Sequence, residues 1–152
     1  MAEYGRGTNA AKALDPTASN RIDPGVIGGK VRVMQDYFTF PAATTMDSDN
    51  YLVVGKQLPK GSQVLSVIIS NGGVGTGTDS YLAVGDEGKY DRYITLVQST
   101  TAAVTIGPNT TAGFNYVVTG TTDNIIRVTG SGSAVCINSG GTIKVSVLYA
   151  VE

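Results

Sequence analysis

The sequence predicts an all-β fold, an antiparallel two-sheet sandwich of jelly-roll type with an extended N-terminal arm. Three observations carry that expectation. Short apolar runs recur with turn signals at roughly the 8–12-residue spacing of sandwiches and barrels. No amphipathic helical pattern separates them, so parallel β-α-β crossovers are not expected. Charged residues make up only 15% of the 152-residue chain, while glycine alone contributes 20 residues. Glycine supplies positive φ in tight turns and threonine suits a pleated surface, so this is a composition of strands and turns.

Residues 1–30 differ from the rest and are expected to form the arm, with residues 31–152 as the β-sandwich domain. The arm carries Glu3, Arg6, Lys12, Asp15, Arg21, Asp23 and Lys30 among glycine and asparagine. Ala10 to Leu14 has room for one helical turn. Asp15-Pro16 and Asp23-Pro24-Gly25 are turn signals. Alone, such a segment buries too little apolar surface to offset its ordering entropy, so it reads either as a disordered tail or as an arm that orders only against a neighbour, the second being favoured. Its expected partner-binding residues are Tyr4, Arg6, Arg21, Val26 and Ile27.

Strands are expected at 31–40, 51–54, 63–70, 81–85, 93–97, 114–119, 124–129, 134–137 and 142–151. Pro41 stops the first. Asp47-Ser48-Asp49-Asn50, Leu58-Pro59-Lys60-Gly61 and Asp86-Glu87-Gly88-Lys89 read as turns. The run from Val64 to Ile69 is so densely apolar that it reads as a strand buried on both faces, or as one with a bulge. Asn71 to Gly77 reads as a flexible loop. From Thr142 to Val151 the alternation is clean, with Ile143, Val145, Val147 and Tyr149 on one face and Thr142, Lys144 and Ser146 on a wet one.

Little in the sequence supports catalysis, and no enzymatic activity is expected. There is no histidine, which removes the commonest general base, the usual nucleophile triads and most zinc sites. The single Cys136 cannot form an intrachain disulfide and reads as a small buried hydrophobe. Around Gly72 to Gly77 neither a dinucleotide fingerprint nor a phosphate-binding loop is complete. Asp47 and Asp49 begin like a calcium loop, but Tyr51 stands where an oxygen ligand is needed. Asp86, Glu87 and Asp91 form a second carboxylate cluster, a glycosidase pair being one reading of it. The sequon Asn109-Thr110-Thr111 carries no weight without a secretory context. Tyr81, Tyr90, Tyr93 and Tyr116 could either cap sheet edges or line an interface. No catalytic residue, cofactor or metal is therefore expected.

Net charge is −1 and basic residues never cluster, so no nucleic-acid partner is expected. The N-terminus lacks an apolar signal core, and apolar runs are shorter than the roughly 20 residues a bilayer crossing needs, so no membrane partner is expected. Residues 99–152 hold only Asp123, Arg127, Lys144 and Glu152 as charges. Either serine, threonine and glycine solvate this half, or part of it faces other protein.

The stretch from Tyr51 to Ser70, in which Leu58-Pro59-Lys60-Gly61 joins two apolar strands, is followed by Tyr81-Leu82-Ala83-Val84-Gly85-Asp86 and by Asp91-Arg92-Tyr93-Ile94. With the polar arm before it, this resembles the capsid decoration (cement, head-stabilising) proteins of tailed bacteriophages, over residues 30 to 97. The resemblance implies a virion structural protein on the outer capsid surface, made in the host cytoplasm. Its partners would be the major capsid protein and copies of itself, as a dimer or trimer. Another virion component, such as a head–tail connector, tail or fibre protein, and a carbohydrate- or receptor-binding module remain as alternative readings.

Overall fold

A computed structural model of the chain describes residues 2–6, 25–26, 30–46, 50–76, 80–132 and 135–151. Among these there are strands and turns but no helix. The strands are β1 (Ala2–Arg6), β2 (Gly25–Val26), β3 (Lys30–Thr39), β4 (Thr44–Met46), β5 (Asn50–Val54), β6 (Gln63–Gly72), β7 (Gly75–Thr76), β8 (Ser80–Gly85), β9 (Ile94–Gln98), β10 (Ala102–Gly107), β11 (Ile126–Gly132), β12 (Val135–Ile137) and β13 (Thr142–Val151).

Two five-stranded sheets form the sandwich. Their orders are β1-β5-β11-β8-β9 and β10-β6-β13-β3-β2, and a small β4-β12-β7 sheet lies beside them. All pairs are antiparallel except β1 with β5. Of the links between successive long strands, only β8 to β9 stays within one sheet; the others pass to the opposite sheet. The fold is thus the predicted antiparallel two-sheet sandwich, and its strand order is compatible with a jelly roll.

The period-two pattern decides what lies between the sheets. From β13, Ile143, Val145, Val147 and Tyr149 are buried, as expected, and they meet Leu52, Val54, Leu82, Val84, Ile94 and Val128 of the other sheet in one apolar core. The dense run in β6 takes the bulged form. Register slips between Leu148 and Tyr149, leaving Leu65 as an extra residue, and Val64, Val67 and Ile69 point inward. A turn at Gly55 requires glycine twice over: its φ is +60°, and an added Cβ would strike the Met34 side chain. Asp36 holds that turn, its carboxylate accepting the Gly55 amide at 2.7 Å while its other oxygen accepts the Tyr37 amide at 2.9 Å.

Three strand expectations need correction. Residues 114–119 are not a strand: Phe114 and Val117 are exposed, and only an isolated bridge pairs Val117 with Gln63. The backbone there is satisfied partly by the short bridge, in which the Val64 amide donates to the Tyr116 carbonyl and the Val118 amide to the Ser62 carbonyl, and partly by turns and side chains. The Tyr116 amide donates to the Gly113 carbonyl, and Asp123 takes the Thr119 and Gly120 amides. Conversely, β10 was not expected. Its apolar residues Val104 and Ile106 point to solvent, so the segment lacks the signature of a half-buried strand. The loop expected at 71–77 is shorter, because β6 runs to Gly72 and Gly75–Thr76 pairs with β12. The helical turn at Ala10–Leu14, the turn signals at Asp15-Pro16 and Asp23-Pro24, and the Asp47–Asp49 turn lie outside the described residues. So does the side chain of Cys136, whose backbone belongs to β12.

Candidate functional site

The first candidate surface is where the N-terminal residues meet the sandwich. β1 extends the edge of the first sheet by pairing in parallel with β5, Ala2 opposite Asn50 and Arg6 opposite Val53, with a register break between Glu3 and Gly5. β2 extends the edge of the second sheet, Gly25 opposite Val31 and Val26 opposite Lys30. Edge strands left bare are templates for further pairing, so both segments cover a reactive edge. Of the expected partner-binding residues, Tyr4 and Arg6 have their backbone in β1 and Val26 in β2. Arg21 and Ile27 lie outside the described residues.

A second surface is the outer face of the β10-β6-β13-β3 sheet. Residues opposite one another in an antiparallel pair share a face. One row runs Ile106, Ile68, Ser146, Gln35, and the next runs Val104, Ser70, Lys144, Tyr37. Val31, Val33 and Leu65 continue the face, all exposed. Val104 and Ile106 are each 66% exposed, far from the inward role of most β-branched strand residues. Lys144 is the one charged residue among the described outward positions. The scarcity of charge after residue 98 is sharper in three dimensions than in sequence, because Asp123 and Arg127 are themselves buried.

The opposite outer face is closed by polar groups. Arg127 lies with its guanidinium 4.2 Å over the Tyr51 ring and donates to Glu87 at 3.0 Å. At Gly85 the 86–92 turn folds so close that a Cβ would meet the Lys89 and Tyr90 backbone. Beneath it, Asp86 has no exposed side-chain surface and takes both Arg92 Nε and Nη2, together with the Lys89 amide at 2.9 Å. Arg92 then stacks 4.0 Å over Tyr116, whose hydroxyl donates to Asp123 at 2.6 Å. This chain of contacts ties the 86–93 turn to the long 108–125 loop. Thr110 strengthens the tie by donating to the Arg92 carbonyl.

Two members of the Asp86, Glu87 and Asp91 cluster, Asp86 and Glu87, are therefore ion-pair partners of arginine. Asp91 faces Lys89 at 3.9 Å. No cluster of potential metal ligands occurs among the described residues. Of the four tyrosines, Tyr93 is fully buried with Tyr116 edge-on at 6.3 Å, Tyr81 is half-buried and Tyr90 exposed. No sequence pattern marks the Arg92–Tyr116–Asp123 chain, because Arg92 and the Tyr116–Asp123 pair come from turns far apart in the chain.

Electrostatics favour the charged form of Asp123. Burial alone would raise its carboxyl pKa, but hydrogen bonds from Tyr116, Thr119 and Gly120 outweigh it and hold the group well below the usual carboxylate range. For Tyr116, burial comes first and the bond to Asp123 second, and the phenol is pushed up to about 12. A carboxylate whose folded pKa is depressed stabilises the fold above its unfolded pKa, and this contribution disappears as pH falls through the folded value. Asp123→Asn should therefore lower stability at pH 7 by roughly 1.5–3 kcal/mol, the scale of hydrogen bonds to a charged group. The gap between wild type and variant should narrow as pH drops below about 4. Urea melts across pH 2–7 measure this; a gap that stays constant over the whole range refutes it.

No protein-family model matches the sequence, and no curated protein does. Solved structures do. The chain matches one from the cyanophage Pam1 capsid asymmetric unit at 25% identity, with 90% of this chain and 99% of that one covered and a TM-score of 0.59. It matches one from the capsid of Ralstonia phage GP4 at 15% identity, 99% of both chains covered, with a TM-score of 0.68. A third, from the acid-stable capsid of Helicobacter pylori bacteriophage KHP30, has 15% identity, covers 85% of this chain and 90% of that one, and has a TM-score of 0.52. The chain thus resembles phage capsid-associated proteins along nearly its whole length.

Proposed function

We propose that this chain is a virion structural protein that binds the outer surface of a phage capsid and stabilises the shell. Residues 1–30 bridge major capsid subunits, and the sandwich anchors them. The carrying observation is the whole-chain likeness to chains of three phage capsids, one of them at 25% identity. The absence of histidine and the engagement of Asp86 and Glu87 by arginines support a structural role over a catalytic one. The charge-poor outer sheet face supports contact with other protein. On this reading the protein is made in the host cytoplasm and resides on the virion.

The mechanism is mass action. A protein that binds the assembled shell and not its separated subunits shifts the equilibrium toward the shell by RT ln(1 + [L]/Kd). An extended arm laid across a joint covers much surface with few residues. Purified protein added to shells lacking it should bind saturably, with many copies per particle, and raise the temperature at which the shell opens. Absence of stoichiometric binding would sink the proposal. A few copies confined to one vertex would point instead to a connector or tail component.

A further inference from the structure

We infer that the outer face of the β10-β6-β13-β3 sheet is a homotypic contact, on which a second copy of this chain packs face to face. The inference rests on the reading of the chain as an assembly component and names the surface that joins its copies. Four observations carry it. The first is chemistry. Val31, Val33, Leu65, Ile68, Val104 and Ile106 all stand exposed on this sheet, with only Lys144 charged among the described outward positions. Soluble monomers rarely expose apolar patches beyond a few hundred Å².

The second is area. Four strands about 4.8 Å apart, three of them (β6, β13 and β3) running for about 30 Å, present roughly 500 Å² of flat surface before side-chain relief is added. Two such faces together remove roughly 1,000 Å² from water, the level a specific interface needs. A face this wide and flat is matched in extent by another sheet, and sheet-on-sheet packing is the ordinary way two such faces bury each other.

The third is self-compatibility. The face carries no carboxylate among its described outward positions, so it offers no complement to a basic partner and leaves no ion pair unmade against itself. Its relief is also symmetric across the strands. Apolar ridges on β10 and β3 flank a middle band in which Ser66, Ser70 and Ser146 stand among Ile68 and Leu148. Two copies facing each other set apolar ridges on apolar ridges and hydroxyls near hydroxyls. A two-fold axis running across the strands keeps the two Lys144 ammonium groups in different rows. Such an isologous contact closes after two copies.

The fourth is contrast. The other sheet's outer side is occupied by the 86–92 turn and the Arg127–Tyr51–Glu87 contacts. Of the two outer faces, the apolar one has no turn folded over it among the described residues.

Sedimentation equilibrium of the full chain decides the point. Wild type is expected to be dimeric at micromolar concentration. Ile68→Asp and, separately, Val104→Asp should each raise the dimer dissociation constant at least about a hundredfold, because each buries an unpaired carboxylate in an apolar contact. Both side chains are solvent-exposed, so a wild-type circular dichroism spectrum and a cooperative melt are expected. Leu96→Asp, at an exposed position of β9 in the other sheet, should leave the dimer intact. Leu96 already has a φ of +53°, which aspartate tolerates better than leucine. A monomeric wild type at 100 micromolar, a trimer mass, or variants that dimerise like wild type would each overturn the inference. Shell binding is scored separately. Dimer-deficient variants that still bind shells leave the capsid reading standing; a wild-type dimer that binds no shell leaves the face contact standing and removes the capsid reading.

Discussion

Asp86→Ala is expected to cost about 3–5 kcal/mol, the penalty for leaving a buried charge without its partner. The Asp86 side chain has no exposed surface and the Arg92 side chain keeps only 14% of its own. Once the carboxylate is gone, the guanidinium is left over the Tyr116 ring with its principal anionic partner missing. A cation over an aromatic face recovers about 0.5–2 kcal/mol at most. The Lys89 amide loses its acceptor as well. Against a domain stability of about 5–15 kcal/mol, this is roughly a fifth or more of the total. Arg92→Ala should be costly for the mirror reason. The double variant should cost less than the sum of the two, because neither charge is then stranded. Urea unfolding of the four proteins measures all three values. An Asp86→Ala cost below about 1 kcal/mol, or strict additivity, would show that the pair is solvated and not a staple.

The importance of this pair could not be seen in the sequence, although Asp86 and Arg92 were both visible there as a turn residue and part of an Asp-Arg-Tyr motif. Their tie depends on Gly85 admitting the 86–92 turn against the sheet, and on Tyr116 arriving from a loop that reads like a strand. The all-β class and the inward face of β13 were legible because a half-buried strand leaves a period of two, with Ile143, Val145, Val147 and Tyr149 recurring at every second position. β10 was illegible for the converse reason. Its apolar residues serve the outside, and a pattern reading assigns apolar residues to the inside. The same reversal hid the second candidate surface, since Ile68 and Leu65 seemed to belong to a strand buried on both faces. The pairing of β1 with β5 left no trace either, because a short parallel edge strand with glycine in it has neither alternation nor a hairpin turn to announce it.

Deleting residues 1–30 is expected to leave a folded sandwich that no longer binds shells. Among the described residues the core begins at Met34. Among the described residues, what is lost from the fold is edge pairing: β1 along β5 and the two-residue β2 along β3. Cross-strand pairs contribute roughly 0.2–1 kcal/mol each, so a stability loss of about 1–3 kcal/mol is expected, with the melt still cooperative. The effect on docking should be far larger, at least about a hundredfold in affinity, because the bridging contacts are assigned to these residues. The two effects separate cleanly. Truncation also bares β5 and β3 as edges, which invites non-specific strand pairing. Binding should therefore be measured at submicromolar protein, with light scattering to exclude aggregates. An unfolded truncated protein would mean that the edge strands hold the sandwich together. A folded one that binds shells as tightly as wild type would move the docking function to the sandwich itself. The apolar β10-β6-β13-β3 face would then be the first place to look for it.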